Sequence, residues 1–133
     1  MKSMGVMFRK IDKTANNRIT NPNRELLKKQ VKTLHRKLKK KDDITTYYVI
    51  ESDTNKGGKY HTHLLIKYNN QENLYNGLSR FIGGTTWEEK DWGLDTLKTC
   101  KGTFGEVDVH PIHDEVEFMR YMDKKEMIEK PLI

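Results

Sequence analysis

Two hydrophobic rhythms run along this chain. The helical one is clearest over 22–41, where Leu27, Val31, Leu34 and Leu38 fall at i, i+4, i+7 and i+11 and form one apolar stripe. Asn21 is placed to cap that helix, and Pro22 suits its first position. A shorter helix is predicted over 71–82, bearing Leu74, Leu78 and Phe81 and ending at Gly83-Gly84. A third runs from Asp114, its cap, to about Ile128, and Glu117 three residues after Asp114 resembles a capping box. The other rhythm belongs to strands. Segments 44–52 (ITTYYVIES) and 60–68 (YHTHLLIKY) are dense in β-branched and aromatic residues, and the Gly-containing turn between them predicts a β-hairpin. Segments 4–11 and 104–112 read as further strands, the second broken at Pro111. Residues 12–20 read as a polar loop, and 85–102 contain Trp87 and Trp92 without a clear period. The order predicts an α+β fold, a central antiparallel sheet of about five strands with packed helices, in a single domain over 1–133.

Charge changes this picture in one place. The formal net charge is +6 and the sequence pI is near 9.3, which points to an acidic partner, nucleic acid first. Residues 22–41 hold nine Lys and Arg against Glu25 alone, a balance of +8. The remaining residues carry 16 basic and 18 acidic side chains, a balance of −2. The basic helix is open to two readings: a phosphate-binding face, or the wet side of a helix packed on a sheet. Cys100 is the single cysteine, which excludes an internal disulfide and a cysteine-built zinc site. There is no apolar run long enough to cross a bilayer and no long apolar stretch near Met1, so the expectation is a cytoplasmic protein without membrane contact.

The chemistry concentrates on two elements. His61 and His63, one residue apart on a strand, project from the same face, while Tyr60, Thr62, Leu64 and Ile66 share the other. If the hairpin turn is centred on Lys56, Glu51 lies opposite His61 and Val49 opposite His63. The Glu51 and His61 Cβ atoms would then be about 5 Å apart. Two imidazoles and a carboxylate converging in this way suit a divalent metal. A slip of one residue in the register would turn Glu51 away. The second element is the last helix, where Tyr121 has Lys124 and Lys125 three and four residues on. A nearby ammonium favours a phenolate and binds phosphate oxygen. Together these elements suggest attack of a tyrosine hydroxyl on a metal-polarised phosphodiester.

These residues resemble the HUH endonuclease superfamily, specifically the single-tyrosine Rep proteins that initiate rolling-circle replication of small circular genomes and plasmids. His61-Thr62-His63 followed by Leu64-Leu65-Ile66 is similar to the family's His-hydrophobic-His strand, with Thr in the middle position. Glu51 matches the metal-binding acid that the preceding strand often supplies. Tyr121-Met122-Asp123-Lys124 is similar to the family's Tyr-x-x-Lys helix motif. The family's first motif is not evident: Val6-Met7-Phe8-Arg9 stand in its place without its pattern, and the expectation is a nuclease domain without the helicase domain that many eukaryotic viral Rep proteins carry. The resemblance, over about 44–127, implies nicking and rejoining of single-stranded DNA at a replication origin. Tyr121 would be joined to the 5′ phosphate, Lys124 would position the phosphate, and Glu51, His61 and His63 would hold Mg²⁺ or Mn²⁺. Lys59, Arg120 and Lys125 are candidate DNA contacts, and host replication proteins are expected partners in a prokaryotic cell. A single-tyrosine transposase of the same superfamily would commonly bring a Gln ligand from the tyrosine helix region, and no Gln follows Gln71. A third reading is a single-stranded nucleic-acid-binding module without catalysis, in which the histidines and Tyr121 are dispensable. His110 and His113, just ahead of Tyr121, either complete the metal site, touch DNA or sit in a loop. Tyr47, Tyr48, Trp87 and Trp92 are either stacking platforms for bases or sheet aromatics.

Overall fold

A computed structural model describes residues 1–9, 24–53, 59–93 and 95–125. Among these residues six strands and three helices follow in the order β1 (Lys2–Arg9), α1 (Arg24–Lys39), β2 (Thr45–Asp53), β3 (Lys59–Tyr68), α2 (Gln71–Ile82), β4 (Gly84–Trp92), β5 (Asp95–Gly102), β6 (Glu106–Pro111) and α3 (Glu115–Lys125). The strands form one antiparallel sheet in the order β2-β3-β1-β6-β5-β4. The fold is α+β as the pattern predicts, with six strands rather than about five. The extra strand comes from 85–102, which folds as the β4–β5 hairpin. The predicted polar loop 12–20 and the caps Asn21 and Pro22 lie outside the described residues.

Alternation along the strands divides the sheet into two faces. Met4, Val6 and Phe8 of β1, Tyr48 and Ile50 of β2, Leu64 and Ile66 of β3, and Val107 and Val109 of β6 are buried on one face. Against them pack Leu27, Val31, Leu34 and Leu38 of α1 and Leu74, Leu78, Phe81 and Ile82 of α2. Each such side chain contributes about 1.5–3 kcal/mol when fully buried. Gln30 and His35 widen the α1 stripe beyond the predicted four positions. His35 Nδ1 lies 2.8 Å from the Thr46 hydroxyl, and burial, with Lys39 nearby, pushes the imidazole below its ordinary pKa.

Local chemistry fixes the ends of the helices. The Asn70 side chain accepts the Asn73 N–H at 3.0 Å at the start of α2. Gly83 closes that helix at φ +73°, a left-handed conformation that glycine adopts without steric cost. At α3, Asp114 Oδ1 accepts the Glu117 N–H at 3.1 Å, as the capping pattern predicts. The opposite face of the sheet buries Val49 and Leu65 beneath Phe118 and Met119 of α3, with Tyr47 and Ile112 alongside. Lys67 Nζ meets Glu115 Oε1 at 3.1 Å and holds that carboxyl below its usual pKa. The sheet therefore separates α1 and α2 from α3. No helix among the described residues is long and apolar enough to cross a membrane.

Candidate metal centre

The β2–β3 register pairs Glu51 with His61 and Val49 with His63, as expected for a turn centred on Lys56. Cross-strand partners project to the same side, so Glu51, His61 and His63 meet on the face that α3 covers. Glu51 Oε2 lies 2.7 Å from His61 Nε2 and 3.2 Å from His63 Nε2. One ligand atom from each residue falls within 4.8 Å of the others. The two imidazoles meet edge to face with centroids 5.0 Å apart. Side-chain exposures of 26% for His61, 15% for His63 and 13% for Glu51 leave the cluster shielded but open to an ion.

The donor set fits a divalent cation. Glu51 Oε1 is buried and has no hydrogen-bond partner among the described residues, which is costly for a carboxylate oxygen unless a cation or water meets it. Two imidazole nitrogens and one carboxylate suit first-row divalent metals.

Two features next to this cluster escape a reading of the sequence alone. β1, the strand with no evident motif, lies in the middle of the sheet beside β3, with Met7 opposite His63 and Arg9 opposite His61. Its other neighbour, β6, places Asp108 opposite Met7. Asp108 is 5% exposed, accepts the Thr99 hydroxyl at 2.7 Å and pairs with the Arg9 guanidinium at 3.2 Å. An acid in the apolar alternation of Val107-Asp108-Val109 was the available signal. The second feature is a cleft of about 490 Å³ between the sheet and α3, lined by His63, Met7, Arg9, Asp108, His110 and Phe118 among others. It brings a cation and apolar surface to the edge of the metal cluster.

His110 belongs to this cleft and not to the metal cluster. Its ring packs 5.9 Å from the Phe118 ring and lies over Gly5, where an added Cβ would come within 2.6 Å of it. His113 is exposed ahead of α3. Arg120 is exposed on α3 and pairs with Glu117 at 3.0 Å. Tyr121, Lys124 and Lys125 belong to α3 and Lys59 opens β3, but the side chains of all four lie outside the described residues. Tyr48 is buried and Trp87 packs on Tyr75 at 4.9 Å, so neither is an open platform for a base. Cys100 is fully buried, and burial pushes its thiol pKa up, as befits a structural residue. No family model, curated protein or solved structure matches the chain.

Proposed function

We propose that this protein is a metal-dependent enzyme that nicks and rejoins single-stranded DNA through a phosphotyrosine, in the manner of rolling-circle replication initiators. The observation that carries the proposal is the convergence of Glu51, His61 and His63 on the sheet face against which α3, the helix of Tyr121, packs. A phenol with a pKa near 10 is a weak nucleophile at neutral pH, so its target must be activated. Mn²⁺ or Mg²⁺ on the three ligands would supply that activation by polarising a phosphoryl oxygen, and imidazole ligands favour Mn²⁺.

The remaining work falls to the chain. The Tyr121 oxygen forms a bond to phosphorus as the P–O3′ bond breaks, and a proton passes to the departing 3′ oxygen. The products are a 5′-phosphotyrosine and a free 3′ hydroxyl that a polymerase extends, and the reverse reaction seals a strand. Lys124, one helical turn from Tyr121, offers its ammonium to the phosphate. Arg9, directly across from His61, brings a guanidinium to the same face and suits a neighbouring phosphate.

The test uses labelled single-stranded DNA from the protein's own replicon, incubated with and without Mn²⁺. The expected result is a covalent protein–DNA adduct that needs Mn²⁺ and disappears in Tyr121→Phe. Binding of the cognate strand without any adduct would overturn the enzymatic reading and leave a binding module.

A further inference from the structure

The +8 segment has no part in the reaction above, because α1 lies on the side of the sheet away from Glu51, His61 and His63. Where the end of α1 passes α2 there is a groove of about 330 Å³. Lys37, Lys40, Lys41 and Arg80 line it together with the amides of Asn73 and Asn76, and no acid is among its described lining residues. The four cations are exposed, and none forms an ion pair with a described residue. Lys29 and Arg36, also exposed, continue the charge along the same side of α1. From Lys29 to Lys40 the helix rises about 16 Å. Over that distance duplex DNA presents roughly ten phosphates on its two strands.

We propose that this groove and the adjoining side of α1 form a second nucleic-acid site, which grips the phosphate backbone of duplex DNA. Charge complementarity selects a polyanion, and the composition of the groove selects the duplex. Recognition of a single strand relies on open aromatic rings for its unstacked bases, whereas a duplex offers phosphates to cations and amides. The aromatics here are already committed: Phe81 is 3% exposed in the core and Tyr75 packs on Trp87. The apolar stripe of α1 is buried against the sheet, so the helix has no apolar face to insert into a lipid surface. A duplex held here would lie on the opposite side of the sheet from the metal centre. One molecule would thus have separate surfaces for paired DNA and for a free strand.

The full chain is titrated into a fluorescein-labelled 20-base-pair duplex of arbitrary sequence, with EDTA, over a range of KCl concentrations, and binding is followed by anisotropy. In the triple variant Lys37→Gln/Lys40→Gln/Arg80→Gln, the slope of log K against log salt should flatten by about 2.7 if each cation releases one phosphate counterion. Lys90→Gln/Lys101→Gln, which alters charge on β4 and β5, should leave the slope unchanged. Melting curves confirm that both variants fold. No duplex binding at low salt, a slope indifferent to the triple substitution, or tighter binding to phosphatidylserine vesicles than to the duplex would overturn the proposal. Chelator and paired DNA keep this test independent of Tyr121 and the metal, so the two proposals fail separately.

Discussion

Saturating Mn²⁺ should raise the melting temperature of this protein, and removing any one of three side chains should nearly abolish the rise. A ligand that binds only the folded state stabilises it by RT ln(1 + [L]/Kd), about 2.7 kcal/mol at one hundred times Kd. At about 2.1 cal/mol/K per residue, unfolding 133 residues has an entropy near 0.28 kcal/mol/K, so the shift should be about 10 °C. The structure offers three ligand atoms within 4.8 Å of one another. Disturbing groups that merely orient metal ligands costs 10–100-fold in affinity, so deleting a ligand should cost at least about 100-fold. At the same Mn²⁺ concentration the variant then retains about 0.4 kcal/mol, or roughly 1.5 °C. Scanning calorimetry of wild type, Glu51→Ala, His61→Ala and His63→Ala, each with Mn²⁺ and with EDTA, reads this directly. A shift above 5 °C surviving in any one variant would remove that residue from the site, and no shift in wild type at millimolar Mn²⁺ would refute the site as a whole.

Two further outcomes follow from buried polar groups. Asp108→Ala leaves the buried Thr99 hydroxyl without its 2.7 Å acceptor, a cost of about 1–3 kcal/mol, and also severs the pair with Arg9. Arg9 is 52% exposed, so Arg9→Met should cost less than about 1 kcal/mol. Urea midpoints should rank the two in that order, and equal losses would contradict this division of labour. His35 has a folded pKa below its ordinary 6.5, so the unfolded chain takes up the proton first and stability falls as pH drops from about 6.5 towards the folded value. That loss has a limiting slope of about 1.4 kcal/mol per pH unit, and His35→Asn should flatten this part of the stability curve if burial is the cause.

The cluster of Glu51, His61 and His63 was legible because it is local. The β-branched density of 44–52 and 60–68 marks two strands, and centring their pairing on Lys56 in the sequence puts Glu51 opposite His61, the register that β2 and β3 adopt. The α1 stripe was legible for the same reason, since every position in it is set by one period. Asp108 and Arg9 were not, because their meeting depends on β1 lying between β3 and β6, an order that no local pattern encodes. The β4–β5 hairpin was missed for a different reason. β4 is an edge strand whose Glu88, Glu89, Lys90 and Asp91 are all exposed, so no buried face imposes alternation on it. Charges of that kind protect a sheet edge from pairing with other chains, and they also hide the strand from a hydrophobic pattern. At the Tyr121 helix, the Asp114 cap and its Glu117 partner were local signals, and the structure bears them out.

The short span of the Glu51, His61 and His63 cluster also bears on the order in which the molecule assembles. His61 and His63 reach Glu51 across sequence separations of only ten and twelve residues. Closing so short a loop costs little chain entropy, and hairpins form within microseconds. The Arg9–Asp108 pair must instead wait for opposite ends of the chain to meet. A cation arriving during folding would therefore find its ligands gathered before the cleft beside them exists. It would cross-link β2, itself an edge strand, to its neighbour while the sheet is still growing.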